Sequence, residues 1–517
     1  MQTKNETSPI SSREMRTIET NAEYYGMSLL QLMENAGRNI AQEIQKRFPN
    51  TKKIVFFCGL GGNGGDGFVA ARHLLTWGYP VTIVLAGKSR EISHSYALQN
   101  WNALRPIRKG LSIVEVSDSS DIPKNIVADV IVDALLGIGS RGKLKAPILQ
   151  MVKCINSLKG FKIAVDAPTG IDSDTGELLD SSAVKADLTV TFYKSKKGLT
   201  VDNAKTFVGD LVVRDIGLPV EFERFAGPGD VALVGKVRFL GAHKGVFGRL
   251  LVVGGSSVYS GAPALVSIAA LRTGIDIVYT AAPEKTAYTI SAGSPNLISI
   301  KLKGDNLNLD NVAELEPYLH MVDAVVVGPG LGLSSETCEF VELFVSKVEN
   351  AGKALLLDAD GLKAFAKIKR PLQVPLVLTP HRGEYAMLTG QVLPENLEEK
   401  TRLIEETAKE LDATLLFKGK VDIICSPSRV KLNFTGNAGM TVGGTGDVLA
   451  GVVGGLLAQK TSAFEAAVAG AFVNGACGDF VASEMGAHML ATDLIDWIPK
   501  VFDDPMSHLK VQKTSGI

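Results

Sequence analysis

The sequence predicts an α/β protein in which helices cover both faces of doubly wound, mainly parallel sheets. Strand-like apolar runs recur along the chain, and each is followed by a turn and a helical pattern. Several of these runs are continuously apolar rather than alternating, which is typical of strands buried on both faces. The chain has 517 residues, a length that corresponds to about two to four domains.

The apolar runs fall into two groups along the chain. In the first half they are residues 52–59, 80–87, 128–137, 161–168 and 186–192. In the second half they are residues 248–256, 275–283, 323–332, 353–362, 375–384, 413–420 and 421–427. Alternation of strand and helix in each half indicates a doubly wound sandwich. Residues 217–239 combine Pro, Gly and mixed charge without a long period, so we expect one domain over 1–225 and another over 226–517.

Composition and charge exclude several classes of protein. The net charge is −1, so no basic field points to nucleic acid. The polar N-terminus lacks the apolar core of a secretory signal, and no apolar run approaches the ~20 residues that span a bilayer. The 5 cysteines are scattered and lack CxxC spacing, which disfavours zinc sites and disulfides. We therefore expect a cytoplasmic protein with no nucleic-acid or membrane partner.

A glycine-rich segment follows the first strand, where open α/β sheets bind ligands. It reads GLGGNGGDGFVAARHL and leads into a predicted helix. Bare backbone next to a helix N-terminus favours an anion such as the phosphate of a nucleotide or dinucleotide. The segment is neither GxGxxG nor a P-loop. The alternative is a tight turn whose glycines only supply positive φ.

Polar residues lie at the ends of three further strands of the first half. They are Asp133 before a glycine-containing loop, Asp166 with Thr169, and the lysines Lys194, Lys196 and Lys197. Oxygens of an Asn, an Asp and a Thr from neighbouring strand ends could hold a hard cation, and an Asp with a Lys could move protons. Taken singly, each Asp is explained as well by a turn or a helix cap.

The second half contains a segment rich in glycine, NAGMTVGGTGDVLAGVVGGLLAQ at residues 437–459. Gly443, Gly444 and Gly446 would let backbone N–H groups converge on an anion at the start of a helix. Asp447 would stand at that helix start, where the helix dipole stabilises a carboxylate. A carboxylate beside an anion suits proton exchange with a hydroxyl next to phosphate. A capping Asp is the alternative, but it does not explain the glycines.

These segments resemble two known families. Residues 437–447 closely resemble the signature of the ADP/ATP-dependent NAD(P)H-hydrate dehydratases, which have a ribokinase-like α/β/α fold, and VVGPGLG, LLLDADGL and TPHRGE support the likeness. The first half resembles the NAD(P)H-hydrate epimerases, which are Rossmann-like α/β/α sandwiches, through LMENAGR, NGGDGFVAARHL, VDALLGIGSRG and DAPTGIDSDTG. The likeness covers about residues 10–505, and the order of the domains is that of the fused repair enzymes.

The resemblance implies repair of reduced nicotinamide cofactors hydrated at C6, that is, NADHX and NADPHX. The first domain would interconvert the R and S hydrates. The second would remove water from the S hydrate, coupled to cleavage of ADP or ATP. The resemblance also implies K⁺ in the epimerase site, Mg²⁺ in the dehydratase site with help from Glu384, and a homo-oligomer.

The resemblance also assigns residues by position. Potassium would lie on Asn63, Asp133 and Thr169, with Asp166 catalytic near the nicotinamide. The epimerase substrate would contact Gly62, Asn63, Gly64, Gly65, Asp66, Gly137, Ile138, Gly139, Ser140, Arg141, Gly142, Lys143 and Asp166. The hydrate in the second domain would contact Ala262, Gly330, His381 and the acid/base Asp447. The nucleotide would lie on Lys418, Gly419, Lys420, Val421, Asp422, Asn437, Gly444, Thr445 and Gly446.

Two residues depart from the family pattern, which usually has Asn at Gly62 and Ser at Thr169. Gly62 would lose a side-chain hydrogen bond to the substrate, whereas Thr169 keeps its oxygen. Two other functions stay open. The second domain could be a ribokinase-like kinase of a small-molecule hydroxyl with a nucleotide-binding accessory domain. The first domain could be only a nucleotide sensor or a structural partner. His381 could also be an ordinary loop residue.

Overall fold

A computed structural model describes residues 8–235 and 238–512 of the chain. It forms two compact units, Met1–Phe222 and Glu223–Ile517. The first seven residues of the polar N-terminus lie outside the described residues. Each unit contains one sheet.

The first unit is built on a 7-stranded sheet in which every pairing is parallel. Its strands are β1 (Ile54–Cys58), β2 (Val81–Ala86), β3 (Leu111–Val116), β4 (Val130–Ala134), β5 (Phe161–Val165), β6 (Leu188–Phe192) and β7 (Asp210–Arg214). Their order in the sheet is β3-β2-β1-β4-β5-β6-β7. The chain changes direction across the sheet between β1 and β4, and doubly wound sheets bind ligands at such a point.

Helices cover both faces of this sheet. They are α1 (Ser12–Tyr24), α2 (Leu29–Arg47), α3 (Gly62–Thr76), α4 (Ser95–Leu104), α5 (Ile148–Ser157) and α6 (Lys205–Val208). All residues of β1 are buried. Alternate side chains of β1 point to opposite faces, so Phe56 packs with α1 to α4 whereas Phe57 packs with α5.

The second unit is built on a 9-stranded sheet. Its strands are β8 (Arg249–Val253), β9 (Ile277–Pro283), β10 (Ile298–Leu302), β11 (Ala324–Val327), β12 (Ala354–Leu357), β13 (Leu376–Leu378), β14 (Thr414–Phe417), β15 (Asp422–Cys425) and β16 (Val430–Asn433). Their order is β10-β9-β8-β11-β12-β13-β14-β15-β16. The last two strands depart from the parallel pattern, because β15 is antiparallel to both β14 and β16.

Helices of the second unit also lie on both faces. They are α7 (Pro228–Val234), α8 (Gly261–Arg272), α9 (Glu284–Gly293), α10 (Asp310–Leu319), α11 (Ser335–Asn350), α12 (Ala359–Ile368), α13 (Arg382–Thr389), α14 (Leu397–Leu411), α15 (Thr445–Ala458), α16 (Ala463–Met485) and α17 (Ala491–Asp503). Leu251 of β8 packs with residues of α10 to α12, whereas Val326 of β11 faces Gly454 of α15. The predicted α/β class with two sheets is therefore confirmed.

One described helix, α16, is long and apolar enough to cross a membrane. Of its most apolar window, 83% is buried within the protein, as in the core helix of a globular domain. The five cysteines are all unpaired.

The apolar runs of the sequence predicted the interior strands and missed the edge strands. The strands they did not predict are β3, β7, β10 and β16, and these are the outermost strands of the two sheets. In β3 and β7 most side chains are partly or fully exposed. Because an edge strand is covered on fewer sides, its sequence carries polar residues and no continuous apolar run.

Candidate active sites

A lysine and two carboxylates meet at the carboxyl ends of β12 and β14. Lys418 directly follows β14, and its Nζ lies 2.8 Å from Oδ1 of Asp358 and 3.7 Å from Oε2 of Glu384. Asp358 follows β12 and accepts a hydrogen bond of 2.6 Å from the Thr379 hydroxyl. Burial acts to lower the pKa of Lys418, but the charges of Asp358 and Glu384 act against it, and the pKa is raised. Lys418 is therefore held in its charged form.

Asp447 lies in the first turn of α15 and interacts electrostatically with this group. Burial and the charge of Asp358 raise the pKa of Asp447 to about 7, while the charge of Lys418 acts to lower it. Gly444 caps the helix with a φ of 99°. The N–H groups of a first turn have no partner inside their helix. The arrangement therefore combines a carboxyl that titrates near neutrality with an anion-binding helix end.

His381 caps helix α13 at the end of β13. Its Nδ1 accepts hydrogen bonds from the N–H groups of Gly383 at 2.9 Å and Glu384 at 3.3 Å. In return, the Glu384 carboxylate accepts from the His381 N–H at 3.0 Å. His381 therefore has a structural role as a helix cap, and its ring is still 55% exposed. The backbone also joins it to the lysine, because the Lys418 N–H donates to the Pro380 carbonyl at 2.9 Å.

The turn between β14 and β15 contains residues 418–421, which we expected to hold a nucleotide. Asp422 anchors this turn by accepting from the Gly419 N–H at 3.0 Å and from Asn433 Nδ2 at 3.0 Å. Burial raises the pKa of Asp422 to about 6 against the effect of these bonds. Gly419 and Lys420 are exposed. The Asp422 carboxylate thus bonds within the protein, whereas Gly419 and Lys420 form the exposed part of the turn.

Ala262, in the first turn of α8, meets Gly330, in the loop after β11. A Cβ built on Gly330 would lie 3.5 Å from the Ala262 Cβ and 2.9 Å from the Tyr259 Cβ, and its φ is 67°. A Cβ on Gly444 would lie 2.8 Å from Leu265. Helix α8 therefore joins the Ala262–Gly330 pair to the start of α15.

The glycines of residues 437–459 serve two purposes. A Cβ on Gly446 would lie 3.7 Å from Lys418 Nζ, so this glycine belongs to the candidate site. A Cβ on Gly454 would lie 2.6 Å from Val326 Cγ2, closer than side chains pack. The later glycines therefore let α15 approach the sheet, whereas the sequence had suggested only an anion-binding role for the glycines of this segment.

In the first unit, Asp133, which lies near the end of β4, binds Thr169, which follows β5. The Thr169 N–H donates to Oδ2 of Asp133 at 2.8 Å, and its hydroxyl donates to Oδ1 at 2.7 Å. Both side chains are buried, and burial raises the pKa of Asp133 to about 6 against these bonds. The third expected potassium ligand, Asn63, packs against Gly137, and its Nδ2 is buried without a hydrogen-bond partner.

Asp166 pairs with one of the three lysines singled out in the sequence. Lys196 is buried, and its Nζ lies 2.7 Å from Asp166 Oδ1 and 2.9 Å from the Thr191 hydroxyl. Asp166 has a φ of 63°, a left-handed conformation that a non-glycine residue adopts at a cost. Lys197 instead bonds to Glu14 near the surface at 3.1 Å.

Two further carboxyls interact with Asp166. Burial, with the charges of Asp166 and Glu19, raises the pKa of Asp66 well above its ordinary range. Burial and the charge of Asp166 raise the pKa of Glu19, on α1, to about 7. Glu19 was not singled out from the sequence, and no motif surrounds it that would have done so.

Of the glycines after β1, Gly62, Gly64 and Gly65 lie in the first turn of α3 rather than in a free loop, and Gly61 caps this helix. None of the glycines between Gly59 and Gly67 has a positive φ, so the alternative of a tight turn does not explain them. A Cβ on Gly67 would lie 2.8 Å from the Ala134 Cβ, whereas Gly61 faces open space. Some of these glycines therefore allow close packing, and others leave the backbone exposed.

The loop 137–143 is tied to the segment after Thr169. Arg141 lies 2.6 Å from Asp174 Oδ2 and 3.2 Å from Asp172 Oδ2, and the Ser173 hydroxyl donates to the Ile138 carbonyl at 3.2 Å. The guanidinium of Arg141 is thus already paired with carboxylates, whereas Gly142 and Lys143 are exposed.

Comparison with known proteins identifies the family. A family model described as YjeF-related protein N-terminus matches residues 29–198, and one described as NAD(P)H-hydrate dehydratase matches residues 250–500. The bifunctional NAD(P)H-hydrate repair enzyme Nnr of Pyrobaculum aerophilum is 43% identical over 498 residues, covering 95% of this chain and 97% of that protein. The chain belongs to the bifunctional NAD(P)H-hydrate repair enzymes. The Archaeoglobus fulgidus member of the family is 43% identical over 495 residues, covering 95% of this chain and 98% of its own length.

Solved structures match the second unit of this repair enzyme. An ADP/ATP-dependent NAD(P)H-hydrate dehydratase from Bacillus subtilis, co-crystallized with ATP/Mg²⁺, is 27% identical, with a TM-score of 0.45, and covers 53% of this chain and 96% of its own. Asp358, which binds Lys418, is not among the site residues predicted from the sequence. It stands in LLLDADGL, a segment quoted above for its resemblance, directly after a buried strand.

Proposed function

We propose that the second unit removes water from the S hydrate of NADH or NADPH while it cleaves a phosphate bond of ADP or ATP. With ADP, the hydrate and the nucleotide would give the reduced cofactor, AMP, phosphate and a proton. The observation that carries this proposal is the position of Asp447. A carboxyl with a pKa of about 7 stands in the first turn of α15 next to the charged Lys418.

Asp447 would take the proton of the hydrate's hydroxyl as that oxygen attacks the phosphorus and the bond to the leaving nucleotide, AMP in the case of ADP, breaks. The lone pair of the ring nitrogen would then expel the new phosphate from C6, and loss of a proton from C5 would restore the ring double bond. A base is most effective when its pKa lies near the working pH, and the pKa of Asp447 meets this condition. Lys418 and the N–H groups at the start of α15 would stabilise the negative charge of the transferred phosphoryl group. Ala262, Gly330 and His381 would hold the hydrate, and residues 418–422 with Asn437 and 444–446 would hold the nucleotide.

Magnesium would enter this site with the nucleotide phosphates. Among the described residues, no group of three or more His, Cys, Asp or Glu side chains is placed to hold a metal alone. Mg²⁺ is commonly held by substrate phosphates, water and one or two carboxylates. The Glu384 carboxylate is buried and bonded to the His381 N–H, so it would face the ion through water. Both ADP and ATP remain candidates.

We also propose that the first unit interconverts the R and S hydrates around Asp166. C6, the carbon that carries the hydroxyl, is bonded to the ring nitrogen. Once the hydroxyl is protonated, the lone pair of this nitrogen can expel it as water. Return of water to the other face of the ring, with loss of a proton, inverts the centre. Asp166 would exchange this proton, and Lys196 would hold the Asp166 carboxylate in place through its contact of 2.7 Å.

The residues around Asp133 fit a potassium ion. Asp133 is a buried carboxylate with no ion-pair partner among the described side chains, and burial raises its pKa to about 6. Turning the Asn63 amide would put an oxygen where Nδ2 now lacks a partner. Asn63, Asp133 and Thr169 would hold the ion. Thr169→Ser keeps a hydroxyl and should retain potassium-dependent epimerisation, whereas Thr169→Val should lose it.

The decisive experiment mixes the purified protein with pure S hydrate and either ADP or ATP. Return of absorbance at about 340 nm, which reports the reduced nicotinamide, is the expected result. If the absorbance does not return with either nucleotide and a small alcohol is phosphorylated, the second unit is instead a kinase. Pure R hydrate supplied to the Asp447→Ala variant tests the first unit, because S hydrate should accumulate. No S hydrate would leave that unit as a non-enzymatic binding domain.

Two properties of the whole protein remain proposals. A reducing, cytoplasmic setting is supported by the five unpaired cysteines. The expected homo-oligomer follows from the family resemblance, and light scattering coupled to gel filtration would test it.

A further inference from the structure

Asp479, on α16, binds two neighbouring residues that precede α15. Its Oδ2 accepts a hydrogen bond from the Gly436 N–H at 2.8 Å, and its Oδ1 accepts one from Asn437 Nδ2 at 2.9 Å. Its Oδ2 also lies 3.0 Å from His508 Nε2. Burial acts to raise the pKa of Asp479, but His508, Asn437 and Gly436 outweigh it and hold the pKa below its ordinary range. Asp479 therefore accepts from Gly436 and Asn437 as a carboxylate.

His508 lies on the 3-10 helix Pro505–Lys510 and is 1% exposed. Its ring meets those of Phe472 and Phe480 edge-on, with centroids 5.8 and 5.9 Å apart. Both phenylalanines belong to α16. The ring is therefore fixed by packing, with Nε2 directed at Asp479.

The hydrogen bonds continue from Asp479 towards Asp447. Asn437 Oδ1 accepts from the Gly439 N–H at 2.9 Å. The Thr445 hydroxyl donates to the Met440 carbonyl at 2.8 Å, and Thr445 is the first residue of α15. Residues 436–440 thus link the C-terminal part of the chain to the helix turn that contains Asp447.

We propose that Asp479 and His508 are positioning residues for nucleotide binding. They act through Asn437 and residues 436–440, whose conformation sets the Asn437 amide and the first turn of α15 for the nucleotide. This inference rests on the proposed function of the second unit. If the pair only stabilised the fold, substituting either residue would change the melting temperature without a selective effect on the KM for the nucleotide.

The test uses two variants of the full chain. His508→Phe keeps a ring between Phe472 and Phe480 but removes the Nε2 contact, and Asp479→Asn keeps the size of the side chain but removes its charge. We expect KM for ADP or ATP to rise about tenfold, as loss of a hydrogen bond to a charged group predicts. We expect KM for the S hydrate to stay within about twofold, since Ala262, Gly330 and His381, three of the four residues expected to contact it, lie on other elements.

A matched control removes buried hydrogen bonds elsewhere in the same unit. Asn311 is fully buried on α10, donates to the Lys303 carbonyl at 3.1 Å and accepts from the Asn308 N–H at 3.0 Å. Asn311→Ala should lower the melting temperature and leave both KM values unchanged. The inference is overturned if both variants keep the nucleotide KM of the wild type, or if they raise the two KM values equally.

Two further measurements keep the test decisive. If His508→Phe does not fold, a double-mutant cycle of Asp479→Asn with Asn437→Ala decides. When one residue acts through the other, the nucleotide KM of the double variant is no higher than that of the more impaired single variant. Additive effects would overturn the inference. Calorimetric titration with ADP alone measures the affinity for the nucleotide, and therefore tests positioning without turnover. If the wild type is inactive but binds ADP more tightly than the variants do, the proposed reaction is wrong and this inference still holds.

Discussion

Lys418 Nζ donates a hydrogen bond of 2.8 Å to Asp358, a residue 60 positions away in the sequence. The bond joins the ends of β12 and β14, and the charges of both residues act on Asp447. Their effects on its pKa have opposite signs, since Asp358 raises it and Lys418 lowers it. The proton affinity of Asp447 is therefore set by side chains from two other strands.

Asp447→Asn should lower kcat of the dehydratase about 10²- to 10⁴-fold, because the variant cannot take the proton of the hydroxyl. ADP binding should persist, since the backbone of the first turn of α15 is unchanged. Absorbance recovery with S hydrate measures the rate, and calorimetry measures binding. A variant with near-normal kcat would remove Asp447 from the mechanism.

The same substitution should change stability in a pH-dependent way. The pKa of folded Asp447, about 7, lies above the ordinary value for Asp. Its contribution to stability is therefore present at low pH and lost as pH rises through about 7. Asn does not ionise, so Asp447→Asn should melt higher than the wild type at about pH 8, and the difference should shrink towards about pH 5. Scanning calorimetry across this range checks the sign, and a constant difference would contradict the raised pKa.

Asp358→Asn should move the acid limb of the kcat profile to lower pH by about one unit, because a negative charge that raises the pKa of Asp447 is gone. The control is Asp323→Asn. Asp323 accepts from the Arg249 N–H at 3.0 Å, and it lies at the opposite end of the sheet, directly before β11. The Asp323→Asn variant should leave the acid limb of the kcat profile in place. A shift to higher pH in Asp358→Asn would show that the assigned electrostatic effect is wrong.

Lys196→Met should abolish epimerisation and destabilise the first unit by about 3–5 kcal/mol, because it leaves Asp166 charged and unpaired in a mostly buried position. The double variant Asp166→Asn with Lys196→Met should recover much of that stability but none of the epimerase activity. Conversion of R hydrate and thermal melting separate the two effects. Dehydration of S hydrate should continue in both variants. Recovery of epimerisation in the double variant would be incompatible with the proposed roles.

Gly62→Asn restores the residue that the epimerase pattern usually has. A Cβ at this position would come no closer than 3.7 Å to another side chain, His94, so the variant should fold. We expect KM for the R hydrate to fall about two- to tenfold through one added hydrogen bond. Gly65→Asn is the contrasting variant, since a Cβ there would lie 2.6 Å from Met33 Sδ, and it should destabilise the unit. An unchanged KM in Gly62→Asn would mean that the position does not contact the substrate.

The sequence was a reliable guide to the interior strands and to the position of Asp447. A strand buried on both faces must be apolar throughout, as β1 is. Asp447 could be placed at a helix start because glycines precede it and an apolar helix follows. The edge strand β3 left no such pattern, since most of its side chains are at least partly exposed.

Other features could not be predicted because they depend on distant parts of the chain. Glu19 stands on the first helix and acts on Asp66 and Asp166 only after the sheet has assembled. The role of Asp479 likewise depends on contacts with residues 436–437 and with His508.

The sequence by itself determined the two α/β units and the chemical groups at their strand ends, because local apolar patterns and glycine spacing act over short segments. Only the tertiary structure decided which lysine meets Asp166, which carboxylate meets Lys418, and near what pH Asp447 titrates. Charges interact through space, and burial strengthens these interactions. These properties therefore follow from the three-dimensional neighbours of each group rather than from its neighbours along the chain.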